Sequence, residues 1–312
     1  QHFIPNIWCY QPEKSADPYS SSSHLIKIFK IKHIFLIHNN LARYILHNCK
    51  IYRTFAPMKV SIITVAYNSE KTIADAIKSV LAQTYYDIEY WIIDGLSKDN
   101  TLEIVKKYEK EANGRLHWIS EKDNGIYDAM NKGIAKSTGD VIGILNSDDF
   151  FTSNDVIEKM VCAFKESPDT DIVFGDVHFV KEGNLKKCVR YYSGRIFTPA
   201  LIRFGFIAPH PSFYIRKEIF EEYGVYDPNY KISADYELIA RFCHIHHIKR
   251  KYIHLDFVTM RIGGASTRNV KARILGTKED LIACKKLGIY SNKFMIYCKY
   301  IIKIAESLFI RH

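Results

Sequence analysis

The chain has 312 residues, 47% hydrophobic and 25% charged, enough for one large globular domain or two small ones. Its formal charge of +10 is uneven: residues 1–57 carry a net +5 and residues 270–312 a net +6, while residues 58–269 carry a net −1. A nucleic-acid reader carries its basic patch on the folded domain, so this distribution speaks against nucleic acid; basic ends interleaved with apolar residues fit an anionic membrane surface better. Seven cysteines, an odd number with no CxxC pair, point to reduced thiols in a cytosol and away from a zinc site. No apolar run reaches the roughly 18–20 residues of a membrane span. The nearest, residues 25–37, is interrupted by Lys27, Lys30, Lys32 and His33.

The first 57 residues begin with Gln and join a Pro/Ser stretch to a Lys/Ile alternation without helical period. Ala56-Pro57-Met58-Lys59 then leads directly into a strand. The expectation is that Met58 is the natural start, that 1–57 is upstream sequence or an added arm, and that no leader precedes the first strand. From residue 60 the rhythm is strand then helix. A strand over 60–66 is followed by a helix capped by Ser69, with Ile73, Ala76, Ile77, Val80 and Leu81 at helical spacing. A strand over 88–93 ends at Asp94-Gly95, and a helix over 99–108 carries Leu102, Val105 and Tyr108 on one side. A strand over 116–119, a helix over 124–136 and a strand over 141–145 complete the pattern. Such alternation predicts βαβ units and a parallel sheet, whose strand ends gather Asn68, Asp94 and Asp148 along one edge.

In the second half a helix over 154–167 capped by Asn154, a hairpin turning at Glu182-Gly183-Asn184, a strand over 212–215 and a helix from 217 are expected. Ser233 would cap a helix to 244, and two helices over 268–287 and 293–310 flank Gly288. The division is an atypical extension (1–57), a catalytic domain (58–267) and a basic amphipathic helical tail (268–312). In the tail, Lys299, Lys303 and Glu306 gather on one side, with Ile296 and Tyr300 near its edge. Phe294, Tyr297, Ile301, Ile304 and Leu308 fill the other side. This predicts an interfacial helix on anionic lipid, with packing on the catalytic domain or a second subunit as the competing reading.

Leu145-Asn146-Ser147-Asp148-Asp149 ends an apolar strand on two adjacent carboxylates. Like charges side by side repel, and a divalent cation is the usual reason to keep them at a strand end. Mg²⁺ or Mn²⁺ is held by one or two carboxylates and by phosphate oxygens of a substrate, which suggests an enzyme handling a diphosphate. On residue types alone this run also fits a strand-to-helix turn, Asp123-Asn124-Gly125 fits a turn, and Asp99 fits a helix cap.

Taken together, the motifs resemble the family 2 glycosyltransferases, inverting enzymes of the GT-A fold. The matching pieces are Ser61 to Asn68 (SIITVAYN), Gln83-Thr84-Tyr85, Ile93 to Thr101 (IDGLSKDNT), Ser120 to Gly133 (SEKDNGIYDAMNKG), and Leu145 to Asp149 (LNSDD). The resemblance covers about two thirds of the chain. It implies an α/β GT-A fold, Rossmann-like, with a mostly parallel central sheet and flanking helices, to which the helical tail is added. It also implies that Thr64, Ala66, Asn68, Asp94, Asn124 and Asn146 lie on the nucleotide side, Asp94 accepting from the base, usually uracil. Asp148 would hold Mn²⁺ or Mg²⁺, with Asp149 as ligand or support. Asn146 stands where the family's acidic pattern has its first carboxylate; it can hydrogen-bond ribose or a metal-bound water but adds no charge, so a weaker metal affinity is expected. Asp235, in Ser233-Ala234-Asp235-Tyr236-Glu237-Leu238, falls on the base position, with Glu237 and Asp176 as alternatives; the bland reading is a first-turn carboxylate favoured by the helix dipole. His210, in Pro209-His210-Pro211, belongs to the acceptor or diphosphate side, or is a packed turn histidine. Arg261 and the loop 263–266 close over phosphates or form an ordinary loop.

The expected activity moves a sugar from a nucleotide-sugar of the UDP class to a saccharide or lipid-linked acceptor in surface-polysaccharide assembly, by a cytoplasmic protein peripheral on the inner face of a membrane. Two rivals are a non-catalytic sugar-nucleotide-binding or scaffold protein of the same fold, which would lose Asp148 or Asp235, and a nucleotidyltransferase. The latter needs a basic, Gly-rich phosphate loop, and residues 65–69 have neither feature.

Overall fold

In the computed structural model, residues 57–263 and 270–300 are described. β1 (Val60–Ala66) is buried at every position, as befits a strand covered on both faces. α1 (Ile73–Leu81), β2 (Ile88–Asp94), α2 (Thr101–Glu111), β3 (Leu116–Ser120), α3 (Ile126–Lys136) and β4 (Val141–Ile144) follow. β2 and β4 pair in parallel with β1, and β3 pairs in parallel with β2. The second half adds β5 (Phe150–Phe151), α4 (Val156–Glu166), the hairpin of β6 (Ile172–Lys181) and β7 (Asn184–Tyr192), β8 (Tyr214–Arg216), α5 (Lys217–Tyr223), α6 (Ala234–Ala240), β9 (Arg250–Arg261) and α7 (Val270–Lys286). The sheet runs β3-β2-β1-β4-β8-β6-β9-β5, with β7 paired to β6. β8 is antiparallel to both β4 and β6, and β9 is parallel to β6.

Period-two alternation along β1 builds two cores, one on each face. Ile63 and Val65 share a cluster with Met130 of α3, Phe220 of α5, Leu238 of α6 and Ala283 of α7. Ile62 and Ala66 share the other with Ile77 of α1 and Met160 of α4. The sheet register brings the strand exits together: Ala66 pairs with Asp94, Asp94 with Ser120, and the Leu145 amide donates to Ile63 at 2.9 Å. The expected α/β architecture with a parallel centre, flanking helices and a C-terminal helical part is the observed one.

Several boundaries differ for local reasons. α1 starts at Ile73 because residues 69–72 form a turn in which the Thr72 and Ile73 amides donate to the Ser69 carbonyl. The Ser69 hydroxyl pairs instead with that of Ser147 at 2.9 Å. α4 starts at Val156, and the Asn154 carbonyl accepts from the Thr84 amide. The helix expected to reach 244 is α6 plus a wider π turn over Arg241–Ile245. β9 was not anticipated: Arg250-Lys251 opens it and His254 and Asp256 interrupt it, so no apolar alternation marks it. Pairing with β6 makes it a strand, and it buries Phe257 and Val258.

Residues 270–300 do not stand apart from the catalytic domain. Ala283 and Cys284 enter its core, Ile296 is 0% exposed, and Lys299 is ion-paired with buried Asp280. The interfacial orientation expected for the last helix is therefore reversed at Ile296 and Lys299, which face the protein. Phe294 and Tyr297 are exposed, at 81% and 48%. The expectations for residues 1–56, the 264–266 loop and 301–310 lie outside the described residues. Among the described residues no helix is long and apolar enough to cross a membrane.

Candidate active site

The exit of β2 presents a half-satisfied carboxylate. Asp94 is 0% exposed, and its Oδ2 accepts from the Ser97 amide (3.1 Å) and the Ser120 hydroxyl (2.6 Å). Its Oδ1 is buried without a partner. A buried acceptor left open is costly, so Asp94 Oδ1 is a candidate to take a further donor. Asn68 shapes the loop beside it. At φ 50° Asn68 sits in the left-handed region that Asn tolerates, its amide donates to Ser97 Oγ (2.8 Å), and its Oδ1 accepts from the Lys98 amide (2.9 Å). Asp99 accepts from the amides of Thr101 and Glu70, both at 3.0 Å, so it tethers the helix start from one residue ahead of Asn100, which occupies the cap position expected for Asp99. Ala66 reaches the edge, and its carbonyl accepts from the Gly95 amide (2.9 Å). Thr64 does not: its hydroxyl is buried and accepts from Tyr90 OH at 2.9 Å, inside the core.

α3 assigns a separate task to each of its motif residues. Gly125, at φ 122°, turns the chain into the helix where a side chain would be strained. Lys132 Nζ draws in Asp123 (2.6 Å), Glu121 (3.0 Å) and Asp128 (3.4 Å), while the exposed Asn124 donates its amide to Asp128 at 2.9 Å. Asn131 clamps the backbone of Tyr226, donating from Nδ2 to its carbonyl (2.8 Å) and accepting from its amide (3.0 Å). Gly133 permits close approach to β1, since a Cβ there would meet Ile63 at 2.4 Å.

At the exit of β4 the two adjacent carboxylates divide their work. Asp149 is 1% exposed; its Oδ2 accepts from Asn146 Nδ2 (3.1 Å) and its Oδ1 from the Arg261 amide (3.3 Å). Arg261 is itself buried: its guanidinium donates to the Asp148 carbonyl and to the Asp75 carboxylate. Asp149 and Arg261 thus brace the turn from behind, and Asp148, partly exposed, is the carboxylate presented outward. Burial pushes the Asp148 carboxyl above its ordinary range, and burial together with the Asp148 charge pushes Asp149 further.

This donor set fits a small hard cation. Asn146 Oδ1 is buried without a partner, and partial burial leaves the partly exposed Asp148 carboxylate short of solvation. Among the described residues no three His, Cys, Asp or Glu side chains converge, so a cation here would need phosphate oxygens or water to complete its shell. A sign follows for stability. A carboxyl whose folded pKa is raised binds more protons folded than unfolded, so its ionisation costs stability as pH rises from the ordinary carboxylate range through the raised value. A cation with nucleoside diphosphate selects the ionised form. Its melting-temperature gain is expected to be largest near neutral pH and to shrink in mild acid, and Asp148→Asn should flatten that pH dependence. Differential scanning fluorimetry across pH checks it; an equal gain at both ends would place the cation elsewhere.

A second cluster brings four side chains together. Tyr127 OH donates to the Ile232 carbonyl (2.5 Å) and lies 3.3 Å from Asp235 Oδ1. Tyr127 stacks on Tyr226 with centroids 5.7 Å apart, and Tyr226 OH is hydrogen-bonded to His210 Nε2 at 2.7 Å. Burial lowers the pKa of His210 while the Asp235 charge acts the other way, so the neutral ring is favoured. The turn holding His210 packs against β4, the strand that leads to Asp148. Both alternatives to Asp235 are occupied. Glu237 is buried and gives both oxygens to Arg241, at 3.0 and 3.1 Å. Asp176 is buried and accepts from Tyr191, Ser193, Gly194 and Tyr252. Sequence reasoning missed Tyr127 and Tyr226 as site residues. Tyr127 sits inside the 120–133 motif and was legible there; Tyr226, in an irregular loop, carried no signal.

The sequence profile of glycosyl transferase family 2 matches residues 61–224, just over half the chain. The chain belongs to glycosyl transferase family 2. It is 27% identical over 235 residues to a PGL/p-HBAD biosynthesis glycosyltransferase of Mycobacterium tuberculosis, covering 75% of this chain and 88% of that one. An uncharacterized glycosyltransferase of the same organism is 32% identical over 191 residues, 60% of this chain and 70% of that one. Among solved structures, the mannosyltransferase PcManGT of Pyrobaculum calidifontis, in complex with GDP-Man and Mn²⁺, has a TM-score of 0.54 at 17% identity, covering 81% of this chain and 74% of that one. S. aureus TarS in complex with UDP-GlcNAc has a TM-score of 0.53 at 16% identity, covering 77% and 70%. At such identities the two structures speak for the fold alone, and the family 2 assignment rests on the sequence match.

Proposed function

We propose that this family 2 glycosyltransferase is an inverting, metal-dependent enzyme that transfers a sugar from a nucleotide-sugar, of the UDP class, to a saccharide or lipid-linked acceptor. The observation that carries this reading is the pairing of two differently built carboxylates. Asp148 stands at a strand exit beside an open amide oxygen, and Asp235 lies in an aromatic cluster with His210. In the reaction, Asp235 takes the proton of an acceptor hydroxyl as its oxygen bonds to the anomeric carbon. The bond from that carbon to the diphosphate oxygen breaks with inversion, and the nucleoside diphosphate departs. Bound Mg²⁺ or Mn²⁺ supplies charge stabilisation for the leaving diphosphate, in place of an acid. Asp148 and Asn146 would hold the cation, and Asp94 Oδ1 would accept from the base. His210 and Tyr226 form the wall next to Asp235 and keep its surroundings low in water.

A donor screen tests this reading: release of UDP, GDP or dTDP from the corresponding sugar nucleotides, with added cation and mixed saccharide or polyprenyl-phosphate-linked acceptors. Cation-dependent release of UDP is expected. Binding of nucleotides with no release by any donor would favour a non-catalytic member. Asp94→Ala is expected to weaken UDP binding about tenfold, the loss of one buried hydrogen bond to a ligand, with little change in turnover at saturation. Calorimetric titration with UDP and Mn²⁺ reads this directly, and an unchanged affinity removes Asp94 from base recognition.

Surface-polysaccharide assembly at the inner face of a membrane is the setting that fits a lipid-linked acceptor. Exposed Tyr290, Phe294 and Tyr297 beside Lys293 offer a contact of aromatic and basic character, the kind that binds anionic interfaces. Because Ile296 and Lys299 are committed to the core, point substitution is a cleaner test than truncation. Phe294→Ser with Tyr297→Ser is expected to reduce flotation with anionic vesicles while leaving the melting temperature near the original. Undiminished, salt-sensitive flotation would place the contact elsewhere.

A further inference from the structure

The segment that carries Asp235 is not capped as its sequence suggests. Ser233 makes no side-chain cap to α6, and its hydroxyl donates instead to the Gly276 carbonyl at 3.2 Å. The amides just ahead of α6 are taken by a residue far along the chain. Glu279, in the middle of α7, is buried, with Oε1 accepting from the Lys231 amide (3.0 Å) and Oε2 from those of Ile232 (2.8 Å) and Ser233 (2.9 Å). One carboxylate therefore fixes three consecutive peptide units.

Those peptides lead to the reacting side chain by two routes. Asp235 follows Ser233 by two residues, so the clamp sets where α6 begins. The Ile232 carbonyl, held between the clamped amides, accepts from Tyr127 OH, and that hydroxyl lies 3.3 Å from Asp235 Oδ1. α7 cannot slide away from this arrangement. The next residue, Asp280, is buried and ion-paired with Lys299 of the terminal helix, and Gly276 lies against Ile232 and Ser233. A buried, charge-assisted clamp of three hydrogen bonds is a costly arrangement for a surface tail to keep, and no solvent-facing purpose explains it.

We propose that Glu279 is a positioning residue for Asp235: the C-terminal helix, outside the matched family region of residues 61–224, completes the acceptor side by fixing the loop that aims the base. This rests on the reading of Asp235 as the base. Positional error of about one ångström at a reacting group can cost on the order of 10²-fold in rate, so partial loosening is expected to cost about tenfold.

The test is a double-mutant cycle on the full chain. Glu279→Gln keeps the shape and loses the charge and part of the accepting capacity. It is expected to lower kcat about tenfold with donor KM within about twofold, and to add less than about twofold once Asp235→Asn is present, because there is then no base left to aim. Glu279→Asp, which keeps the charge and withdraws it by one methylene, is measured in the same two backgrounds and decides the matter if the Gln variant does not fold. Equal losses in both backgrounds mean that Glu279 only stabilises the fold, and no loss in either background also overturns the proposal. Near-normal turnover of Asp235→Asn alone would overturn the base reading instead, so the two failures are told apart.

Discussion

Asp148→Ala is expected to lower turnover by about 10³-fold or more and to abolish the response to Mg²⁺ or Mn²⁺. The magnitude follows from the several kcal/mol a bound cation contributes to a departing diphosphate, at about 1.4 kcal/mol per factor of ten. The structure makes the residue hard to replace. Asp149 is turned inward onto Asn146 and the Arg261 backbone, so no second outward carboxylate stands at this turn to take over. Asn146 offers only a neutral oxygen. Nucleoside-diphosphate release measured against cation concentration checks the prediction. Activity that survives and still follows the cation would show that the ion is held by other groups.

The second large effect is expected at Asp235. Asp235→Asn preserves volume and the approach of Tyr127, but removes the proton acceptor. Turnover should fall by about 10²-fold or more, the scale of general-base catalysis, while sugar-nucleotide affinity stays near normal. The two obvious substitutes are engaged: Glu237 is locked to Arg241, and Asp176 receives donors from Tyr191, Ser193, Gly194 and Tyr252. Titration with UDP and single-turnover rates separate binding from chemistry. A variant with near-normal turnover would assign the base elsewhere.

The first half of the fold was legible because its signals are local. β1 and β2 are apolar runs buried on both faces, and their helices carry apolar residues at helical spacing. Strand order then follows from βαβ connection, which is why Asp94 and the Asn146–Asp149 turn could be placed on one edge. The second half resists reading because its order is set by pairing at a distance. β9 begins with Arg250-Lys251 and is defined by its register with β6, about eighty residues earlier, which no local period encodes. The helix cap at Ser233 failed for the same reason. Serine is a good cap by type, but Glu279 supplies the acceptor from forty-six residues away. The tail was misread at Ile296 and Lys299 because a helical wheel shows which residues share a face, not which face meets the protein. A buried Asp280 reverses the answer by pairing with Lys299.

At the site, the sequence leaves Asp149 open as ligand or support beside Asp148. Asp148 and Asp149 are adjacent in sequence, yet one is presented outward and the other is buried behind it. Tyr226 was invisible because its place depends on Asn131, ninety-five residues away, gripping its backbone.

The proposed reaction is a single displacement at the anomeric carbon, served by one base. The most direct measurement is the anomeric configuration of the product, read by proton NMR from a donor of known configuration. A product of opposite configuration to the donor is predicted, formed by the wild type and about 10²-fold or more slowly by Asp235→Asn. A product that retains the donor configuration would require a second nucleophile or a different order of events, and would contradict the role given to Asp235.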